Sequence, residues 1–399
     1  MRKRIKIGAA LLVFAGIIAG TTAYHNSQNR RQPVIFSKNE VLTAIWQKYK
    51  ASYLDPTSGR TIDRQRGDIT TSEGESYTML RAVFQDDKAT FDRSWNFTRK
   101  NLQLRDSHLF GYLYGKNPDG SYGLLLDQGG DHTASDADSD IALALILGYQ
   151  RWQQSDYLQQ AKPVITDIWA KEVISVAGRP VLTADNLEKA ANRPVVVNPS
   201  YFSPYAYRLF AVVDKAHPWK QLIDSSYKIL SDNTTSNLGT AGSAGLPPDW
   251  IMIDRGTGAI TPSTASNLTI NYGYDALRVP WRIGLDYEWN KEPKAKAYLA
   301  TLSFLGHEWQ NNQKLAATYS HDGKAVANYE SPAMYGAAMG YFQVSDPKNS
   351  DAVYRQKLEA LYNVNTQSWK VPLGYYEDNW AWFGMALKLH QLPNIGSTL

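Results

Sequence analysis

From residue 38 onward, apolar residues recur at spacings of three and four, the mark of helices that bury one face. The pattern predicts about a dozen helices, over 38–53, 75–85, 89–102, 135–154, 157–172, 204–214, 219–231, 272–287, 293–312, 332–344, 351–361 and 376–389. Period-two alternation is confined to short runs such as Val195-Val196-Val197 and Trp250-Ile251-Met252-Ile253, which read as strands. The helices follow one another every 30 residues or so, and no stretch of linker composition separates them. They predict one all-α domain in which successive hairpins close into a ring. Such a ring gathers helix N-termini and long loops at one end. The Gly- and Asn-rich stretches 233–245 and 256–267 read as loops of that end, where binding surfaces collect.

The first 34 residues follow another pattern. Arg2, Lys3, Arg4 and Lys6 precede an apolar run from Ile7 to Gly20, and Thr21-Thr22-Ala23 follows as a cleavage site. Residues 1–23 are therefore read as a signal peptide or an uncleaved membrane anchor. A bilayer needs roughly 20 apolar residues, so this short run favours cleavage. Residues 24–34 read as a polar tether and 35–399 as the folded domain. The chain contains no cysteine, which excludes disulfides, a lipoprotein anchor and thiolate metal sites. Export without cysteine points to an extracytoplasmic bacterial protein.

The formal charge of +4 comes from the leader, because four of the 42 basic residues lie there and the remainder balances 38 acidic ones. With no basic block either, nucleic acid is excluded as a partner. The 12 Trp and 25 Tyr supply large rigid rings, which serve a core or a ligand groove equally well. No Gly-x-Ser-x-Gly elbow, His-Glu-x-x-His helix or phosphate-cradling loop occurs, and no cofactor or metal is expected.

The chemistry concentrates where acids meet helix starts. Ala134-Ser135-Asp136-Ala137-Asp138-Ser139-Asp140 runs directly into an apolar helix. Capping by Ser135 or Asp136, with Asp138 and Asp140 near the positive helix end, would explain one or two of these acids. A calcium loop fails, because Ile141 and Leu147 stand where it needs Gly and Glu. A second acid pair lies in Thr71-Ser72-Glu73-Gly74-Glu75-Ser76-Tyr77, and a third acidic site in Tyr272-Gly273-Tyr274-Asp275-Ala276-Leu277-Arg278.

The segment from Ala134 to Trp152 resembles the signature of glycoside hydrolase family 8: Ala-Ser-Asp-Ala-Asp, two variable residues, Ile-Ala, and a later Trp. Ser72-Glu73-Gly74 with Ser76-Tyr77 resembles the segment holding the family's general acid. Tyr274 to Arg282 resembles the one holding its general base, and Asn198-Pro199-Ser200-Tyr201-Phe202 an active-site turn. The resemblance implies an (α/α)6 barrel, Glu73 as acid, Asp275 as base, and Asp136 as the residue gripping the sugar at the cleavage subsite. It also implies an inverting endo-β-1,4-glucanase acting on a β-linked polysaccharide, and the protein is expected to be a monomer. Xylanase, lichenase and chitosanase activities, or a catalytically silent glycan binder, are the alternatives. The run Leu246-Pro247-Pro248-Asp249-Trp250 is similar to members associated with bacterial cellulose synthesis.

Other residues are placed around this set. Tyr201 and Tyr274 are expected near the attacking water. Arg278, one turn after Asp275, is expected to hold it, although Arg278 and Arg282 also suit structural ion pairs. Glu75 is given a supporting role, and Asp138 and Asp140 are assigned to the scaffold. Trp95, Trp152, Trp250, Trp281, Trp380 and Trp382 are candidates for sugar stacking, with Trp380 preferred because its segment opens the last helix.

Overall fold

Among the described residues, thirteen α-helices alternate between the outer and inner wall of a ring. Outer α1 (Glu40–Tyr53) leads to inner α2 (Ser72–Phe84), and outer α3 (Lys88–Asn101) to inner α4 (Ser135–Trp152). Outer α5 (Ser155–Asp167) then precedes inner α6 (Pro204–Val213), and outer α7 (Trp219–Thr235) precedes inner α8 (Arg278–Asn290). The outer pair α9 (Pro293–Thr301) and α10 (Ser303–Asn312) leads to α11 (Pro332–Val344), and α12 (Pro347–Val353) to α13 (Tyr375–Lys388). The computed structural model describes residues 39–190 and 192–399, within a unit spanning Ser37–Leu399. The expected leader and tether over residues 1–34 lie outside the described residues. No helix among the described residues is long and apolar enough to cross a membrane. The expected (α/α)6 ring is the observed architecture.

Burial explains the two walls. Helix α4 buries its acids, Ile141 through Gly148, and Arg151, whereas α3 buries only the stripe Thr90, Phe91, Ser94, Trp95, Phe97 and Thr98. A helix buried on all sides belongs to an inner layer and an amphipathic one to the outside. Helix α11 is rich in small residues for a packing reason. A Cβ at Gly340 would collide with the Pro280 carbonyl of α8, and one at Gly336 with the Trp380 carbonyl of α13. The ring axis is filled by Tyr77, Trp281, Trp380 and Phe383, whose centroids stand 5.2–5.7 Å apart. This aromatic plug makes a floor rather than a pore.

Short strands stiffen the loops at one end. β1 (Thr70–Thr71) pairs antiparallel with β2 (Leu113–Lys116), which pairs with β3 (Tyr122–Leu124). β4 (Val173–Val176) and β5 (Arg179–Leu182) form a hairpin. β6 (Val195–Val197) pairs with β7 (Ile251–Ile253), which pairs with β8 (Ile260–Thr261). β9 (Tyr362–Asn363) pairs with β10 (Ser368–Trp369). The two strands expected from sequence are β6 and β7, and their pairing sets the turn after Val197 beside Trp250.

Several helix boundaries differ from the sequence pattern. Residues 168–172 continue α5 as a π-turn, and 293–312 breaks at Leu302 into α9 and α10. The 351–361 segment is mostly π and 3-10 turns after α12. The helix expected over 272–287 begins only at Arg278, so Asp275 sits on the turn before it.

Candidate active site

The N-termini of the inner helices converge at one end, each with a partial positive charge that favours carboxylates. The Thr71 side chain caps α2 by accepting from Gly74 N at 3.0 Å, which places Glu73 in the first turn. Asp136 stands in the first turn of α4, and Arg278 opens α8. The turn after β6 brings Ser200 and Tyr201 to the same place.

Arg278 is the centre of the cluster, with a side chain only 2% exposed. Its Nη1 donates to Glu73 Oε2 at 2.5 Å and to Asp136 Oδ2 at 3.1 Å. Nη2 donates to Asp275 Oδ1 at 2.6 Å, and Nε donates to Ser200 Oγ and to the Asp275 carbonyl, both at 3.1 Å. The guanidinium lies 5.2 Å from the Tyr201 ring centroid. One cation thus gathers three carboxyl groups, and a guanidinium fork holds such partners in fixed directions.

Three acids around one cation leave excess negative charge in a low dielectric, so one of them retains its proton. Burial, opposed by Arg278 and reinforced by Asp136 and Asp275, pushes the Glu73 carboxyl up to about 7. Burial likewise raises Asp136, whose side chain is 2% exposed against 33% for Asp275. Asp275 is partly open to solvent, while its Oδ2 accepts from Trp250 Nε1 at 2.9 Å. Trp250 stands edge-on to Tyr201 at 5.9 Å. Burial and the negative charges of Asp136 and Asp275 hold the Tyr201 hydroxyl well above the usual phenol range, so it remains a hydrogen-bond donor.

Two expected contacts are placed elsewhere. Trp380 is 1% exposed and belongs to the aromatic plug, so it offers no face to a sugar. The ring nearer the site is Tyr376, whose hydroxyl donates to the Tyr274 carbonyl and which feels the charges of Arg278, Glu73 and Asp275. Tyr274 is 37% exposed and its hydroxyl meets Tyr329 and Ser331, so it lines the rim rather than the Asp275 carboxylate. Of the six tryptophan candidates, Trp250 alone touches the acid cluster. Trp95, Trp281 and Trp382 are buried, and Trp152 donates to Asp86 at 2.8 Å.

The remaining acids brace the scaffold. Asp140 is paired bidentately by Arg282, at 3.0 and 2.7 Å, which ties α4 to α8. Glu75 accepts from Thr61 N at 2.7 Å and from Ser94 Oγ at 2.6 Å, linking α2 to its neighbours. The capping expected of Ser135 and Asp136 does not occur. Ala134 is the N-cap, Ser135 Oγ donates to the Thr183 carbonyl, and Asp136 Oδ1 accepts only from the adjacent Ala137 N–H.

Asp138 meets Glu172 carboxyl to carboxyl, with both side chains fully buried. Phe110 N donates to Asp138 Oδ1 at 2.9 Å and Thr133 Oγ1 to Glu172 Oε1 at 2.5 Å, so a shared proton must join the pair. Burial raises both, Glu172 to about 8. The folded state keeps a proton that the unfolded chain releases near 4.5, so stability falls as pH rises from there through about 8. Glu172→Gln supplies the joining N–H permanently. Its Tm is expected to fall less than the parent's between about pH 5 and about pH 8, as thermal unfolding monitored by circular dichroism would show.

The profile of Glycosyl hydrolases family 8 matches residues 25–383. Endoglucanase A of Acetivibrio thermocellus is 30% identical over 306 residues, covering 74% of this chain and 59% of that protein. The endoglucanase of Escherichia coli K12 is 25% identical over 361 residues, covering 88% and 91%. The aligned stretch spans 54%, 59% and 64% of the lengths of three curated relatives. Among solved structures, the endo-1,4-D-glucanase of Vibrio fischeri ES114 superposes with a TM-score of 0.73 at 26% identity, covering 86% of this chain and 93% of that one. A cold-adapted family 8 xylanase superposes at 0.68 with 18% identity, a likeness of fold. With a profile match of that extent and an inner-helix ring whose ends gather Glu73, Asp136 and Asp275, the chain belongs to glycosyl hydrolases family 8.

Proposed function

We propose that the protein hydrolyses internal β-1,4 linkages of cellulose or a related β-glucan with inversion of configuration. The observation that carries this reading is the Arg278 bridge between a carboxyl raised to about 7 and an open, tryptophan-braced carboxylate. Glu73 holds its proton near neutral pH and gives it to the departing glycosidic oxygen as the C1–O bond breaks. Asp275 takes a proton from the water that attacks C1 on the opposite face, so the new C1–O bond forms with inversion. The proton leaving Glu73 is thus balanced by the one arriving at Asp275. Arg278 steadies both carboxylates through the exchange, and Asp136, which accepts from Arg278 Nη1, keeps its expected place as the sugar-gripping residue of the cleavage subsite.

A neutral polysaccharide suits the site. Tyr201, Trp250, Tyr274 and Tyr376 offer ring faces and hydroxyls, and the endoglucanase names of the relatives support a glucan. The leader supports work outside the cytoplasm. The test is viscometry of the purified protein on carboxymethylcellulose, lichenan, xylan and chitosan, alongside release of reducing ends. The reading expects rapid viscosity loss on the glucans with few ends released. Preference for xylan or chitosan would replace the substrate, and no cleavage of any would favour a silent binder.

A further inference from the structure

Asp249 directly precedes Trp250 and is 8% exposed. A single oxygen, Oδ1, accepts from three backbone N–H groups: Gly273 at 3.1 Å, Asp275 at 3.1 Å and Ala276 at 2.7 Å. Such convergent amides form a small nest that fixes a turn around an anion. The other oxygen, Oδ2, accepts from Thr269 Oγ1 at 3.4 Å, and a Cβ at residue 273 would stand 2.6 Å from it, so the approach requires Gly273. Asp249 is itself anchored, its N–H donating to the Asn271 carbonyl at 2.7 Å. The next residue completes the hold, since Trp250 Nε1 donates to Asp275 Oδ2. One dipeptide therefore grips Asp275 twice, by its backbone and by its carboxylate.

We infer that Asp249 is the positioning residue of Asp275, fixing the turn that aims the carboxylate at the attacking water. The inference rests on the proposed role of Asp275 as base. It also bears on the late start of α8: the Ala276 N–H, which a helix beginning at residue 272 would bond to the residue 272 carbonyl, is taken by Asp249 instead. Burial and the Asp275 charge push the Asp249 carboxyl up to about 7, yet a proton on Oδ2 leaves the nest acceptor Oδ1 untouched. Asparagine is therefore an adequate replacement and alanine is not. Misplacing a reacting group by about 1 Å can cost about 10²-fold in rate.

The test measures kcat and KM on cellohexaose for the parent, Asp249→Ala, Asp249→Asn, Gly273→Ala and Asp275→Asn. Asp249→Ala is expected to lose about 10²-fold in kcat, with KM little changed and the circular dichroism spectrum kept. Asp249→Asn should recover at least about tenfold of that loss, and Gly273→Ala, which pushes the carboxylate off the nest, should resemble the alanine variant. A purely structural role would move KM, kcat and Tm together without rescue by asparagine. Asp249→Ala with near-parental kcat overturns the inference. If that variant fails to fold, parental kcat in Gly273→Ala overturns it instead. An active Asp275→Asn would instead unseat the base assignment, so the two failures are distinguishable.

Discussion

Glu73→Gln is expected to lower kcat on cellohexaose by about 10³-fold, within the range that general acid–base groups contribute, while leaving the protein folded. Glutamine keeps an oxygen for Arg278 Nη1, so the bridge at 2.5 Å has an acceptor and the ring is not disturbed. What disappears is the proton. The loss should therefore shrink sharply on a dinitrophenyl cellooligosaccharide, whose leaving group departs without protonation. The pH profile supplies a second reading. In the proposed role Glu73 works in its protonated form, so kcat/KM of the parent should fall as pH rises through about 7, and the variant should lack that limb. A variant within tenfold of the parent on cellohexaose, with the limb intact, would move the acid elsewhere. Glu75, also raised to about 7 by burial, would then be examined first.

Asp275→Asn is the second large effect, again about 10²–10⁴-fold in kcat. Asparagine has one oxygen for two donors, Trp250 Nε1 and Arg278 Nη2, yet residue 275 keeps the backbone N–H that Asp249 holds, so the turn survives while the proposed base is lost. Its signature is opposite to that of the acid variant. The loss should be equal for good and poor leaving groups, because activation of water is needed in both cases. Azide, a nucleophile with no proton to lose, should restore turnover. Leaving-group dependence like that of Glu73→Gln would show that the two roles are reversed.

Some of this was readable from residues alone. Inner helices such as α4 and α11 announce themselves by apolar or small residues on every side, and the acids at the start of α4 mark a first turn facing an interior. Glu73 and Asp275, about two hundred residues apart in sequence, stand out only through motif resemblance. What brings them together is Arg278, whose donors span partners 205, 142 and 3 residues away. No local pattern encodes such a bridge. The same limit explains the start of α8. Gly273, Asp275 and Ala276 continue the helical spacing, but their amides answer to a carboxylate 24–27 residues upstream. Trp380 shows the converse. On an inner helix every face is buried, so spacing cannot separate a ring that plugs the axis from one that lines the cleft. Tyr376, four residues earlier, reaches the site because it stands in the first turn, at the ring end where the inner helices begin. The break at Leu302 has no proline or glycine to announce it, and α9 and α10 ran together in the spacing pattern.

The central claim is that Glu73 and Asp275 act as a direct-displacement pair, with Asp275 activating water rather than attacking the sugar. Proton NMR of cellohexaose digestion, recorded before mutarotation scrambles the anomers, measures this at the first product. The account predicts that the newly formed reducing end appears as the α-anomer and relaxes toward the β form. A new reducing end that appears first as the β-anomer would mean a covalent intermediate on a carboxylate and would contradict it.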